Sequence, residues 1–202
     1  MKNVRPASRI LVTAYLLASC LASSCGPANV AQHYKRFRTI CTAEDSDALG
    51  EFVSQHGADY QVTVSGEDTQ PLICVAAETG AVWAVQALLD HGADVEACAS
   101  NGSSALDAAI GCRDFAKFEA ICETLVRAGA DLEHRSDSGE TAFLTLVRRG
   151  NVERSRFLLD LGSNPCAKNA KGKGAKEIAE SIVTTDGPDM RRAVTEWASK
   201  CN

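Results

Sequence analysis

The stretch from Pro71 to Ala97 reads P-L-I-C-V-A-A-E-T-G-A-V-W-A-V-Q-A-L-L-D-H-G-A-D-V-E-A. Two short apolar-periodic segments, Leu72 to Glu78 and Val82 to Asp90, flank a break at Thr79-Gly80. The second segment runs into His91-Gly92-Ala93-Asp94. A glycine just past an apolar stripe takes the left-handed conformation that closes a helix at little steric cost. The spacing therefore predicts two short antiparallel helices, over 71–79 and 82–91, each with one apolar face, followed by an extended turn.

The closing phrase recurs. Ala128-Gly129-Ala130-Asp131-Leu132-Glu133 repeats it, Gly162-Ser163-Asn164-Pro165 repeats it loosely, and Gly57-Ala58-Asp59 anticipates it. The glycines at 57, 92, 129 and 162 are 35, 37 and 33 residues apart. A period of about 33 carrying helix–turn–helix and G-A-D resembles the ankyrin repeat, spelled G-x-T-P-L-H-x-A-A-x-x-G and then V-x-x-L-L-x-x-G-A-D-V-N. The resemblance covers about residues 30 to 200, with clean matches only between 70 and 165. It implies an all-α solenoid of helix-turn-helix units joined by extended hairpin loops.

On that frame, 30–60 is a degenerate N-terminal cap, with helices over 30–42 and 47–56 burying Tyr34, Phe37, Ile40, Cys41, Leu49, Phe52 and Val53. Repeats follow at about 68–100, 101–136 and 137–169, and a C-terminal cap at 170–202 closes on a helix from Asp189 to Lys200. Ser103 or Ser104 and Thr141 are placed to cap helices, as the family's Thr does. The usual glycine is missing at Arg113-Asp114, and the segment to Ala128 runs long. That insertion either makes a lip for a partner or is neutral.

The first 25 residues stand outside the fold. Lys2, Arg5 and Arg9 precede the short apolar run Ile10 to Ala18, and small residues and cysteines follow, the layout of a secretory signal peptide. The apolar run is too short for a bilayer, which takes about 20 residues. Leu17-Ala18-Ser19-Cys20 resembles the bacterial lipobox, which implies a signal over 1–19, a diacylated Cys20 and a lipid-anchored tether over 20–29. Ala22-Ser23-Ser24-Cys25 offers a second cleavage site, leaving open a soluble periplasmic or secreted product.

Hydrophobic residues make up 45% of the chain, which excludes wholesale disorder. Net charge is −5, and removing the three leader cations takes it to −8, which argues against a nucleic-acid partner. Nine cysteines in an exported chain permit disulfides. If Cys20 is acylated, eight remain, and stacking of the implied repeats suggests Cys166 with Cys201 and Cys112 with Cys122. Cys122 also reads as a small core residue, at a position where the repeat buries Val.

No catalytic or metal constellation emerges. Neither H-E-x-x-H nor paired C-x-x-C occurs, and His56 and His91 sit just before repeat glycines, where a helix C-terminus favours them. Lys171-Gly172-Lys173-Gly174 fails as a phosphate loop, with Ala167 at the first glycine position and Gly174 at the hydroxyl position. Cys74 takes the His position of T-P-L-H and reads as structural. The expectation is a non-enzyme with no cofactor, acting as a monomer.

The resemblance implies instead that a concave face of hairpin tips and first helices binds another protein. The tip positions are Asp68 and Thr69, Ser100 and Asn101, Arg135 and Asp137, and Lys168 and Lys171, running from acidic to basic. The leading expectation is a protein-binding module on the periplasmic side of a bacterial envelope, either an immunity-type inhibitor or a scaffold. A redox-responsive periplasmic protein is the alternative, on the cysteine count.

Overall fold

The structure, a computed structural model, describes residues 27–182, 187–199 and 201. The leader, Cys20 and Cys25 lie outside the described residues, as does Lys200 at the end of the expected last helix. The chain begins with α1 (Pro27–Ala43) and α2 (Ser46–His56), continues through an antiparallel hairpin of β1 (Gln61–Ser65) and β2 (Asp68–Pro71), and then runs entirely in helix pairs. These are α3 (Leu72–Thr79) with α4 (Val82–Asp90), α5 (Ala105–Ala109) with α6 (Phe115–Arg127), α7 (Ala142–Arg148) with α8 (Val152–Asp160), and α9 (Ala175–Glu180) with α10 (Gly187–Ala198). Helix is already formed at Pro27, within the stretch expected to be a tether, and proline's fixed φ suits a helix start.

The fold is thus mostly helical with one small two-stranded sheet, in which Thr63 faces Thr69 and the register slips between Thr63 and Ser65. The other connections between pairs hold turns rather than strands, apart from a single bridge between Lys168 and Gly174.

The pairs pack in chain order. Helix α3 lies against α5, α5 against α7, and α7 against α9, while α4 packs on α6 and α8 on α10. Alanines make the inner contacts possible: Ala76, Ala77, Ala105, Ala109, Ala142, Ala175 and Ala179 are all buried, so short helices approach closely. Larger side chains fill the layer between inner and outer helices, with Leu72, Leu88, Phe118, Leu125, Phe143 and Leu158 essentially closed to solvent. One continuous cluster of buried residues runs from Phe37 to Trp197.

Five helix starts are set by a side chain. Ala48 N–H donates to Asp45 Oδ1, Asp107 N–H to Ser104 Oγ, Lys117 N–H to Asp114 Oδ1, Leu144 N–H to Thr141 Oγ1, and Arg154 N–H to Asn151 Oδ1. These side chains satisfy amides that a helix start leaves without partners. The extra residues after Cys112 lengthen a helix, since α6 has 13 residues where α4 and α8 have 9.

A second set of bonds joins successive units at the G-A-D turns. Asp94 N–H donates to Asp59 Oδ1 at 2.7 Å, Asp131 N–H to Glu96 Oε1 at 2.9 Å, and Asn164 N–H to Glu133 Oε1 at 2.7 Å. Where Glu96 and Glu133 reach the next unit, the corresponding position of the last G-x-N turn is Cys166, which is bonded to Cys201 with Cα atoms 5.6 Å apart. The final helix is held covalently where earlier units are held by a carboxylate.

Cys112 and Cys122 form no such bond, which corrects the pairing suggested above; both are buried free thiols. Cys112 donates to the Asp114 carbonyl, and its sulfur lies against Gly80. Cys122 faces the core in mid-helix with 0% exposure, as its reading as a core residue requires.

Arg154 is the most deeply buried cation in the stack, at 7% exposure. Its guanidinium donates to Ile110 O at 3.2 Å and Arg113 O at 3.1 Å, and it lies 4.7 Å from the Phe118 ring centroid. Carbonyls beyond the end of α5 and an aromatic face stand in for a carboxylate. The irregular turn at Arg113 is thereby fastened to the following pair.

At the other end, His33 and His56 lie ring to ring at 4.8 Å. His33 Nδ1 is 2.8 Å from Tyr60 Oη, and His56 stacks on Tyr60. Arg36, which reaches Glu51 at 3.9 Å, also faces this cluster through the Phe52 ring. Burial first, then the charges of His33 and Arg36, lower the pKa of His56 below its usual 6.5.

Two outcomes are expected. The Cys166–Cys201 bond closes a loop with a sequence separation of 35, so Cys166→Ser should cost about 3–4 kcal/mol, read as a lower thermal midpoint than the oxidised wild type. Equal midpoints would show the bond to be dispensable. His56 has a depressed pKa, so its contribution is present above pH 6.5 and lost as the pH falls through its folded value. Denaturant midpoints from pH 8 down to pH 5 should accordingly drop further for wild type than for His56→Phe, and parallel curves would contradict this.

Candidate partner-binding surface

The hairpin tips form one row. Ser100 N–H donates to Thr69 O at 2.9 Å and Thr69 N–H returns a bond to Ser100 Oγ at 3.2 Å. Asp137 N–H donates to Asn101 O at 3.2 Å, and Arg135 Nη1 donates to the Lys168 carbonyl. Each tip is therefore tied to the next through backbone groups.

The tips also fit sterically. Gly102 and Gly139 adopt φ of 71° and 73°, and a Cβ on Gly102 would stand 2.5 Å from Asp137 Oδ1. On Gly139 it would stand 2.3 Å from Ala170 Cβ. Neighbouring tips close on each other at these two glycines.

Of the residues expected at the tips, not all remain free to meet a partner. Thr69 spends its hydroxyl on Gln61 Oε1, and Ser100 spends its own on Thr69. Asn101 Oδ1 accepts from Ser103 N–H, and Arg135 is drawn onto the Lys168 and Gly139 carbonyls. Asp68, Asp137, Lys168 and Lys171 are exposed, with charged groups that take part in no ion pair among the described residues. Lys173 and Lys176 extend the basic end.

Beside the row lies a hollow of about 240 Å³, between the first tip, α3 and α5. Gln70, Cys74, Glu78, Asp107 and Gly111 line it, with Arg149 beyond the end of α7. Sequence reasoning missed Gln70, Glu78, Asp107 and Arg149. For Glu78 and Asp107 the available signal was a polar residue on an otherwise apolar first helix. A wider hollow of about 610 Å³ separates the start of α8 from α10, but Arg149, Arg156 and Arg192 alternate there with Glu153, Asp189 and Glu196, so it selects no sign of charge.

The cysteines and histidines near this face do not assemble a nucleophile. Burial first, then the nearby Cys98, Asp107 and Glu78, pushes the Cys74 thiol up to about 12, and the thiol points at the Ala97 carbonyl. Cys98 Sγ lies 3.5 Å from His134 Nε2, but that nitrogen is 2.8 Å from Gly102 O. Burial and four carboxylates, Glu96, Asp107, Asp94 and Asp137, raise the Cys98 thiol and disfavour the thiolate. Among the described residues no helix is long and apolar enough to cross a membrane, and no group of three His, Cys, Asp or Glu converges.

No protein-family profile matches the chain. A transient receptor potential cation channel subfamily A member 1 homolog of Caenorhabditis elegans is 34% identical to it over 122 residues. The alignment covers 60% of this chain and 9% of the nematode protein. What the two share is thus a segment, far short of the relative's whole length.

Proposed function

We propose that this chain is an ankyrin-repeat protein-binding module, exported and held on the periplasmic side of a bacterial envelope by lipid on Cys20. The observation that carries the binding reading is the tied row of tips. A surface whose backbone is already ordered loses little conformational freedom when a partner settles on it. Function in such a stack rests on the exposed residues of that face rather than on the fold itself. The tips run from Asp68 at one end to Lys168 and Lys171 at the other, so the favoured partner is a polypeptide of opposite gradient.

A preorganised face suits an inhibitor that clamps one protein better than a scaffold that accommodates several. The disulfide between Cys166 and Cys201 fits an oxidising compartment, and the leader pattern fits export. A redox-responsive role is the weaker reading. Cys41, Cys74, Cys112 and Cys122 are buried, and burial pushes three of these thiols, Cys41, Cys74 and Cys122, up to about 12.

Reversing Lys168 and Lys171 to Glu should abolish or sharply weaken capture of the partner from the protein's own envelope extract, and the wild-type capture should fade with rising salt. Unchanged capture would remove this face from consideration. For the anchor, Cys20→Ser should move the full-length protein from the membrane fraction to the soluble one. A wild type already found in the soluble fraction would refute lipidation.

A further inference from the structure

We infer that the tip row is also a self-association surface, on which a second copy of this chain sits antiparallel, in place of the monomer expected from the sequence. This rests on the reading of the tip row as the binding face and names one occupant of it.

Four apexes make up the row among the described residues. The first is the Gly66-Glu67 turn between β1 and β2. The others are turns closed by a backbone bond: Gly102 N–H to Ala99 O at 2.8 Å, Gly139 N–H to Ser136 O at 2.7 Å, and Gly172 N–H to Asn169 O at 2.9 Å. These turns hold Ser100 and Asn101, Asp137 and Ser138, and Lys171, while Asp68 stands beside the first apex and Lys173 beside the last. Glu67, Asp68, Asp137, Lys171 and Lys173 are exposed and make no ion pair among the described residues. Glu177 offsets part of the charge of Lys168 and Lys176, so Lys171 and Lys173 supply the excess at the basic end.

A twofold axis between the second and third apexes reverses one copy against the other. Glu67 and Asp68 of each copy then meet Lys171 and Lys173 of the other, at both ends of the row. In the middle, Ser100 and Asn101 meet Asp137 of the other copy. Asn101 Oδ1 already accepts the Ser103 N–H at 3.1 Å, so its Nδ2 is the group left to donate, which suits a carboxylate. A parallel copy would instead set acid on acid and lysine on lysine, so charge selects the antiparallel arrangement. Exposed ion pairs contribute little each, and the dimer is accordingly weak and dissolved by salt or dilution.

The test is sedimentation equilibrium of the purified full-length chain carrying Cys20→Ser, which keeps lipid out of the measurement. At about 50 mM NaCl the apparent mass should rise from monomer toward dimer as the protein approaches about 1 mM, and at about 500 mM NaCl, where screening is about threefold shorter in range, it should stay monomeric. The pairs Lys171→Glu with Lys173→Glu, and Glu67→Lys with Asp68→Lys, should each weaken association about tenfold or more with unchanged thermal midpoints, because the twofold axis repeats every lost contact. Mixing the two doubly substituted proteins should restore association, since one carries two acidic ends and the other two basic ends.

A chain that stays monomeric at low salt, a dimer indifferent to salt or to either pair of reversals, or a mixture that fails to recover would overturn the inference. No other protein is present, so failure here leaves the capture experiment to stand by itself. Unchanged capture by the Lys168 and Lys171 reversal, with self-association lost, would instead remove the partner reading alone.

Discussion

The inner helices cannot stand by themselves. They contain 8, 5, 7 and 6 residues, whereas isolated helices below about 12–15 residues are marginal in water. Their stability comes from mutual burial, each alanine-faced helix packed against the one before and the one after. Everything else in the molecule follows from the need to keep that row in contact. The outer helices supply large apolar side chains from one side, and the G-A-D turns supply a carboxylate link from one unit to the next.

A row of this kind has two ends that the row itself does not complete, and the chain treats them differently. At the start, α1 and α2 close the stack with an aromatic group of Phe37, Phe52 and Tyr60 into which His33 and His56 are packed. That arrangement favours the neutral form of His56. At the finish, Trp197 lies edge-on to Phe143, and the Cys166–Cys201 bond stands at the position where earlier units carry the carboxylate link. One end is therefore sensitive to protonation and the other to reduction.

The tip row has an architectural role. Thr69, Ser100, Asn101 and Arg135 hold neighbouring tips together, and Gly102 and Gly139 let them close up. Charge left over at Asp68, Asp137, Lys168 and Lys171 is what the face presents outward. Polar groups divided in this way tie the tips together and leave a few free charges facing outward. The proposed clamp draws on that division.

Much of the fold was legible because it is written in short range. Apolar spacing marked the helix pairs, Ser104 and Thr141 marked helix starts, and the recurrent G-A-D turns marked the units, since caps and turns depend on residues three or four apart. The long segment after Cys112 was legible as a longer stretch, and α6 is its outcome. What only the tertiary structure decided is contact across units. It determined which tip residues are consumed by their neighbours, and that Glu96 and Glu133 reach the turn of the next unit. Those facts depend on side chains some 30 to 40 residues apart meeting in the stack, and local spacing holds no record of that encounter.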